Sequence, residues 1–177
     1  MSPLDLTDDE LARESGALLI KSEDDGTLRE VVTNSRIILF SCPAYRSMCD
    51  ALYEQFKSGS GIILFRMGQG YARKLTEGIS KLNLTIEEAI KVYEKLSFMA
   101  VWGTVKILIE DDRRAMCTVR KSAFILRRND VGPTSCFFFS GALSTIASSM
   151  AGREFVAKEI ECVTGGYEYC KFVITQT

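Results

Sequence analysis

Residues 131–152 contain no charged side chain, and that absence constrains the fold more than any other stretch of the chain. A helix at a protein surface needs a polar face, so an uncharged run of this length is either a membrane span or a helix buried inside a protein. Seven Ser or Thr, three Gly and one Pro fall within it, with few large apolar side chains for its length. That composition favours a soluble interior helix. The chain then becomes polar and alternating, F-V-A-K-E-I-E-C from Phe155 and Y-C-K-F-V-I-T from Tyr169, around Gly165-Gly166. The pattern predicts a buried helix feeding a β-hairpin.

Upstream, Thr7 and Glu10 make a capping-box pair, Leu6 and Leu11 a hydrophobic staple, and Gly16 a C-terminal stop for a first helix. Residues 17–21 and 27–32 flank Asp25-Gly26 as a possible hairpin, which serves either as a dimerisation arm or as a layer of the core. Pro43 opens a helix with Met48, Leu52 and Phe56 as its apolar positions, ended by Ser58-Gly59-Ser60-Gly61. A longer helix over 62–82 carries Phe65, Gly68, Ala72, Leu75 and Ile79 at helical spacing. Its Gly68-Gln69-Gly70 lacks the strand-turn context of a phosphate loop and reads as close helix packing. Thr85 and Glu88 cap a further helix with Ile86, Ala89, Ile90, Tyr93 and Leu96 on its apolar face. The period then changes to two: Val105, Ile107 and Ile109 mark a strand ending at Asp111-Asp112, with 115–120 as its returning partner. In the uncharged helix Phe139, Leu143, Ile146 and Met150 form a large stripe, and Gly141, Ser144, Ser148 and Gly152 a small one. Small side chains there admit a close neighbour: another helix, the sheet or a bound molecule. No repeat, linker or low-complexity tract interrupts the chain. The reading is one domain over 1–177, an α+β fold with an antiparallel sheet of about four strands packed against helices. Residues 1–35 form its N-terminal helix and possible hairpin arm, and 36–177 its core.

With 22 basic and 23 acidic side chains and a net charge of −1, there is no basic field for nucleic acid. The short basic runs Arg120-Lys121 and Arg127-Arg128 read as solvated strand edge. The acidic N-terminus has no apolar signal-peptide core, and six cysteines without such a signal suggest a reducing cytoplasmic setting, where clustered cysteines are metal ligands or core thiols. There is no histidine. The commonest general base, the usual catalytic triads and most catalytic zinc sites are thereby removed.

Cys162 and Cys170 flank the Gly165-Gly166 turn, so a hairpin can bring both sulfurs together, and Cys136 at the helix N-terminus can add a third. A helix N-terminus favours a thiolate. Glu159 or Glu161 would complete a tetrahedral zinc set. By strand alternation Glu159 and Cys162 point to opposite faces, so Glu159 works only if the strand breaks or bulges near Ile160; Glu161 has the same difficulty. The competing reading is three buried thiols. Cys42, Cys49 and Cys117 read as core or surface thiols. For a ligand pocket the large candidates are Phe65, Tyr71, Phe98, Met99, Trp102, Phe137 and Phe138, where the small-faced helix meets the preceding helix and the sheet; the plain alternative is that they fill the core.

The spacing C-x22-E-x2-C-x7-C, with Gly166 four residues after Cys162 and Phe172 two after Cys170, resembles the 4-vinyl reductase (4VR) domain family. Phe138 and Gly141 upstream fit the same pattern. It is also similar to the sensor domains of NtrC-type activators that respond to phenols, in which three cysteines and a glutamate hold zinc beside a hydrophobic pocket. Carried over, the resemblance implies Cys136, Glu159, Cys162 and Cys170 as ligands of a structural zinc ion. It also implies a fold similar to TRAPP trafficking subunits and to the NO-signalling and Golgi-transport ligand-binding type. Tyr167 stands where the family often has an acidic residue, and the histidine that reads a phenolic hydroxyl is missing. Three thiolates and a carboxylate fill a tetrahedron and leave no place for activated water. No nicotinamide or flavin motif is present. The expectation is therefore a non-enzymatic, zinc-stabilised module, a homodimer, that binds a small hydrophobic molecule and acts through a protein partner. The alternatives are a TRAPP-like scaffold and a tetrapyrrole-handling chaperone or reductase accessory.

Overall fold

Each expected β-run in the described part of the chain finds an antiparallel partner. A computed structural model describes residues 20–22, 27–30, 36, 41–99, 102–125 and 134–177. The helix expected at 7–16, the turn at 25–26, the apolar piece at 37–40 and the loop at 127–133 lie outside the described residues. Strands β1 (Ile20–Ser22) and β2 (Leu28–Glu30) form the early hairpin, with Ile20 opposite Glu30. Strands β3 (Thr104–Ile109), β4 (Arg114–Arg120), β5 (Phe155–Glu161) and β6 (Cys170–Gln176) form one antiparallel sheet in the order β3-β4-β6-β5. Helices α1 (Cys42–Phe56), α2 (Ser60–Ile79), α3 (Ile86–Met99) and α4 (Phe137–Ala151) complete the described α+β architecture. Among the described residues no helix is long and apolar enough to cross a membrane.

The helix ends follow local chemistry. Ser41 Oγ accepts from the Ala44 amide at 3.3 Å, and Pro43 sits in the first turn of α1, where its missing N–H leaves nothing unpaired. A 3-10 turn, Ser80–Leu82, and a left-handed Asn83 close α2. The Thr85–Glu88 capping box is reciprocal: Thr85 N donates to Glu88 Oε2 at 2.9 Å and Glu88 N donates to Thr85 Oγ1 at 3.3 Å. One expected stripe is set one residue off. Met48 and Phe56 stand 47% and 53% exposed, and α1 instead buries Cys49 beside Leu64, with Tyr45, Leu52 and Phe137 against them. Side-chain size favoured the methionine, whereas the small thiol fits the closer contact. One residue is about 100° of helix rotation.

Helices α2 and α4 meet backbone to backbone. A Cβ at Gly141 would lie 1.9 Å from the Phe65 carbonyl oxygen, and one at Gly68 would lie 2.0 Å from that of Phe138. The small stripe of α4 therefore divides its work. Gly141 admits α2, while Ser144 Oγ accepts from Ala157 N at 2.9 Å and Ser148 Oγ accepts from Phe155 N at 2.8 Å on edge strand β5. At the other edge, Glu94 Oε1 on α3 accepts from Ile107 N at 2.6 Å. Backbone donors on both edge strands are thus satisfied by helix side chains rather than left open to another chain.

The two glycines of Gly68-Gln69-Gly70 should respond oppositely to alanine. Gly70 faces open space, its nearest neighbour being Arg73 Nη2 at 3.9 Å, so Gly70→Ala should raise unfolding stability by about 0.5–1 kcal/mol. Gly68→Ala forces two helices apart and should lower it by about 3 kcal/mol or more. Urea denaturation of both variants checks the sign of each change.

Candidate metal centre

Three chain segments converge at the N-terminus of α4. Cys136 is the N-cap of that helix, Cys162 follows β5 in extended conformation, and Cys170 is the first residue of β6, opposite Val119. The 3-10 turn Val163–Gly165 folds the chain back between the last two, and Gly166 takes a positive φ of 91° that glycine adopts without strain. Glu159 lies on the inner face of β5, opposite Phe172. The register shifts between Glu159 and Glu161, so Ile160 is a bulge. That extra residue lets Glu159 and Cys162 face the same point. Glu161 turns away to Lys171, 3.9 Å distant, with both side chains partly exposed.

One ligand atom from each of Cys136, Glu159, Cys162 and Cys170 lies within 4.8 Å of the others, and all four residues are buried. Cys136 and Cys162 sulfurs are each 3.5 Å from that of Cys170. This is far beyond a disulfide length of about 2.05 Å and close to the edge, about 3.8 Å, of a tetrahedron with metal–sulfur bonds near 2.3 Å. All three cysteines are free thiols. Glu159 Oε2 accepts from the amides of Ser135 and Cys136 at 2.8 and 2.9 Å, which fixes the carboxylate against the helix terminus. Its other oxygen, Oε1, is buried with no hydrogen-bond partner. An unsatisfied buried carboxylate oxygen costs several kcal/mol unless a cation meets it. The donor set, its spacing and this orphaned oxygen fit a thiophilic divalent ion such as zinc.

The surroundings favour negative charge. Hydrogen bonds from Cys136 and Cys170, with further ones from Thr164 and Ser135, pull the Cys162 thiol well below its ordinary range. Cys136, which shares its hydrogen with Cys162, is pushed up. Burial raises the Glu159 carboxyl to about 7 against the pull of the Cys136 amide. The site thus holds one thiolate as packed, and a bound dication would draw off the other protons. Thr164 Oγ1 lies 3.1 Å from Cys162 Sγ, Ser135 Oγ 3.5 Å from it, and Ser122 Oγ 3.9 Å from Cys136 Sγ. The sequence reading missed these three hydroxyls. Ser135 and Thr164 adjoin the cysteines and were legible in principle, whereas Ser122 arrives from a distant loop.

The aromatic candidates have different fates. Tyr71, Trp102 and Phe138 come together with Phe124 and Phe139 in one packed cluster. Tyr71 and Trp102 centroids are 4.7 Å apart, and Phe124 stacks on Phe138 at 4.5 Å. Phe137 packs against the Cys49–Leu64 pair, and Phe65 contributes its backbone to the Gly141 crossing. The side chains of Phe98 and Met99 lie outside the described residues. None of the other five lines the main apolar chamber, of about 270 Å³, which sits between α3, α4 and the inner sheet face. Ile90, Ile107, Leu143, Ile146 and Ile174 form its walls, and Arg153 and Asp112 its rim.

Comparison with known proteins places this geometry. No curated protein matches the chain by sequence. Among solved structures, the phenol-responsive sensory domain of the transcription activator PoxR, with phenol, is similar at TM-score 0.79 and 15% identity, covering 96% of this chain and 92% of that one. A vinyl-4-reductase family protein from Methanocaldococcus jannaschii is similar at TM-score 0.58 and 18% identity, covering 80% and 84%. A trafficking protein particle complex subunit 3 from Naegleria fowleri, covalently bound to palmitic acid, is similar at TM-score 0.56 and 13% identity, covering 77% and 92%. At such identities the likeness shows the fold. Residues 117–176, from the middle of β4 to the end of β6 and including all four cluster residues, match the vinyl-4-reductase (4VR) domain family model.

Proposed function

We propose that this domain is a non-enzymatic binding module for a small hydrophobic molecule, fastened by a structural zinc ion at Cys136, Glu159, Cys162 and Cys170. The apolar chamber of about 270 Å³ carries the ligand half of this reading; its size is at the lower end for small-molecule sites and its walls are almost wholly aliphatic. Ile86 and Ile109, on its lining, remain 44% and 43% exposed, apolar surface that a ligand would cover. Likeness to a phenol-responsive domain and to a subunit carrying palmitate supports a ligand-binding use of the fold. The chamber lies in a different place from the aromatic cluster, so the ligand is assigned to the aliphatic walls.

The proposed ion acts as a clamp. Three thiolates and one carboxylate would complete its coordination and leave no water to activate. With full deprotonation the site carries a charge near −2, offset by the N-terminal amides of α4 and the surrounding hydroxyls. Signalling would pass to a protein partner in the cytoplasm, a second copy of the chain included. The exposed Met48, Phe56, Ile62 and Met67 on α1 and α2 support such a contact.

Untagged, reduced protein should carry about one zinc per chain by elemental analysis, and native mass spectrometry should show a retained organic molecule. Metal-free protein would overturn the clamp, and repeated absence of any bound or bindable hydrophobic molecule would overturn the ligand reading. Cys162→Ser should lose the metal and at least about 3 kcal/mol of stability, seen as a melting point lower by about 10 °C. Glu159→Gln should weaken zinc retention against a chelator, while Glu161→Gln should leave it near wild type. The reverse order would show the ligand assignment to be wrong.

A further inference from the structure

Beside the apolar chamber lies a second cavity of about 300 Å³, and the two share Ile86 and Met150 in their linings. Their chemistry differs sharply. The second is lined by Thr76, Ser80, Asn83, Thr85 and Ser149 together with a few apolar side chains, and no charged residue lines it among those described. Two of its polar groups have capacity to spare. The Asn83 side-chain amide and the Ser149 hydroxyl take no hydrogen bond among the described residues, whereas Thr76 and Ser80 already donate to the backbone of α2. Asn83 is held in place by its left-handed backbone, φ 51°, at the end of α2.

The charged end of the apolar chamber offers no counterpart. Arg114 pairs with Glu110 at 2.5 Å, and Arg153 pairs with Asp112 at 3.6 Å. Both guanidinium groups on the rim are therefore neutralised, and Asp111 adds a further negative charge there. An anionic head group would meet no free cation among the described residues of the rim and would be repelled by that carboxylate. An uncharged head that donates and accepts hydrogen bonds matches the Asn83–Ser149 side. The apolar chamber holds roughly nine heavy-atom groups at about 30 Å³ each. Its walls are branched aliphatic with one aromatic ring, Phe155, which suits a flexible chain better than a flat ring system. Among the described residues no cysteine lines either cavity, so nothing described there would hold the chain covalently.

Resting on the ligand-binding reading above, we infer that the two cavities form one amphipathic site for a linear aliphatic molecule of medium length with an uncharged polar head. The tail lies between α3, α4 and the sheet, and the hydroxyl or amide head lies against Asn83 and Ser149, past Ile86 and Met150.

Calorimetric titration of the full chain with 1-nonanol, nonanoate and phenol at neutral pH tests this. 1-Nonanol should bind once per chain, at least about tenfold tighter than nonanoate. The double variant Asn83→Gly with Ser149→Ala, which keeps the left-handed backbone and changes only exposed positions, should weaken 1-nonanol about tenfold. Ala147→Phe, checked for folding by its melting curve, should block the chamber; if it does not fold, the exposed double variant alone decides. Nonanoate binding as tightly as the alcohol, or an unchanged affinity in the double variant, would overturn the inference. Phenol binding without either aliphatic would overturn it too and leave the ligand-binding reading standing. Failure of all three probes would count against both.

Discussion

Three sulfurs and one carboxylate oxygen meet at a single buried point, and the C-terminal half of the molecule is arranged around that meeting. Without a shared partner it would be an expensive place. One thiolate is already favoured there, and one oxygen of Glu159 lacks any hydrogen bond. With a divalent ion the same groups become a cross-link between the start of α4, the end of β5 and the start of β6. Structural zinc contributes its binding energy directly to folding, on the order of 10 kcal/mol. A domain of this size has total stability of similar magnitude. The local irregularities follow from that demand: the bulge at Ile160, the positive φ of Gly166 and the carboxylate at the helix terminus.

From this point the fold extends outward in two directions. Helix α4, uncharged along its whole length, lies across the sheet, with serine hydroxyls satisfying β5 and a glycine opening its back to α2. The backbone contact at Gly68 and Gly141 leaves no room for a ligand on that side, and rings stacked around Phe138 fill the remaining volume. On the other side α3 is tethered through Glu94 to edge strand β3. Between α3 and α4 the side chains are aliphatic and incompletely packed, and the chamber opens there. Structural rigidity and ligand space are thus separated, with the metal-ligand cluster at one end of α4 and the cavities toward the other.

Much of this was legible because it is local. Capping residues at Thr85 and Glu88, the period change at Val105 and the turn at Gly165-Gly166 each act within a few residues. The parity argument went further: Glu159 and Cys162 could share a site only through a bulge near Ile160, and the register shifts there. The likeness to 4VR domains singled out Glu159 over Glu161 on family pattern alone, and only one of the two lies with the thiols. What was not legible depends on distance in sequence. Ser122 reaches Cys136 from another loop, Phe124 stacks on Phe138, and the aromatic residues pack together while the aliphatic ones part. Single-residue patterns report which side chains are apolar, not which neighbours fill the space between them. The misplaced stripe on α1 has the same origin, since Cys49 is small and its partner Leu64 lies on another helix.

The direct test is X-ray absorption at the zinc edge on protein purified under reducing conditions. Three sulfur neighbours at about 2.3 Å and one oxygen at about 2.0–2.2 Å are expected. A shell dominated by nitrogen and oxygen, or no zinc signal from folded protein, would contradict a metal clamp at the heart of this fold.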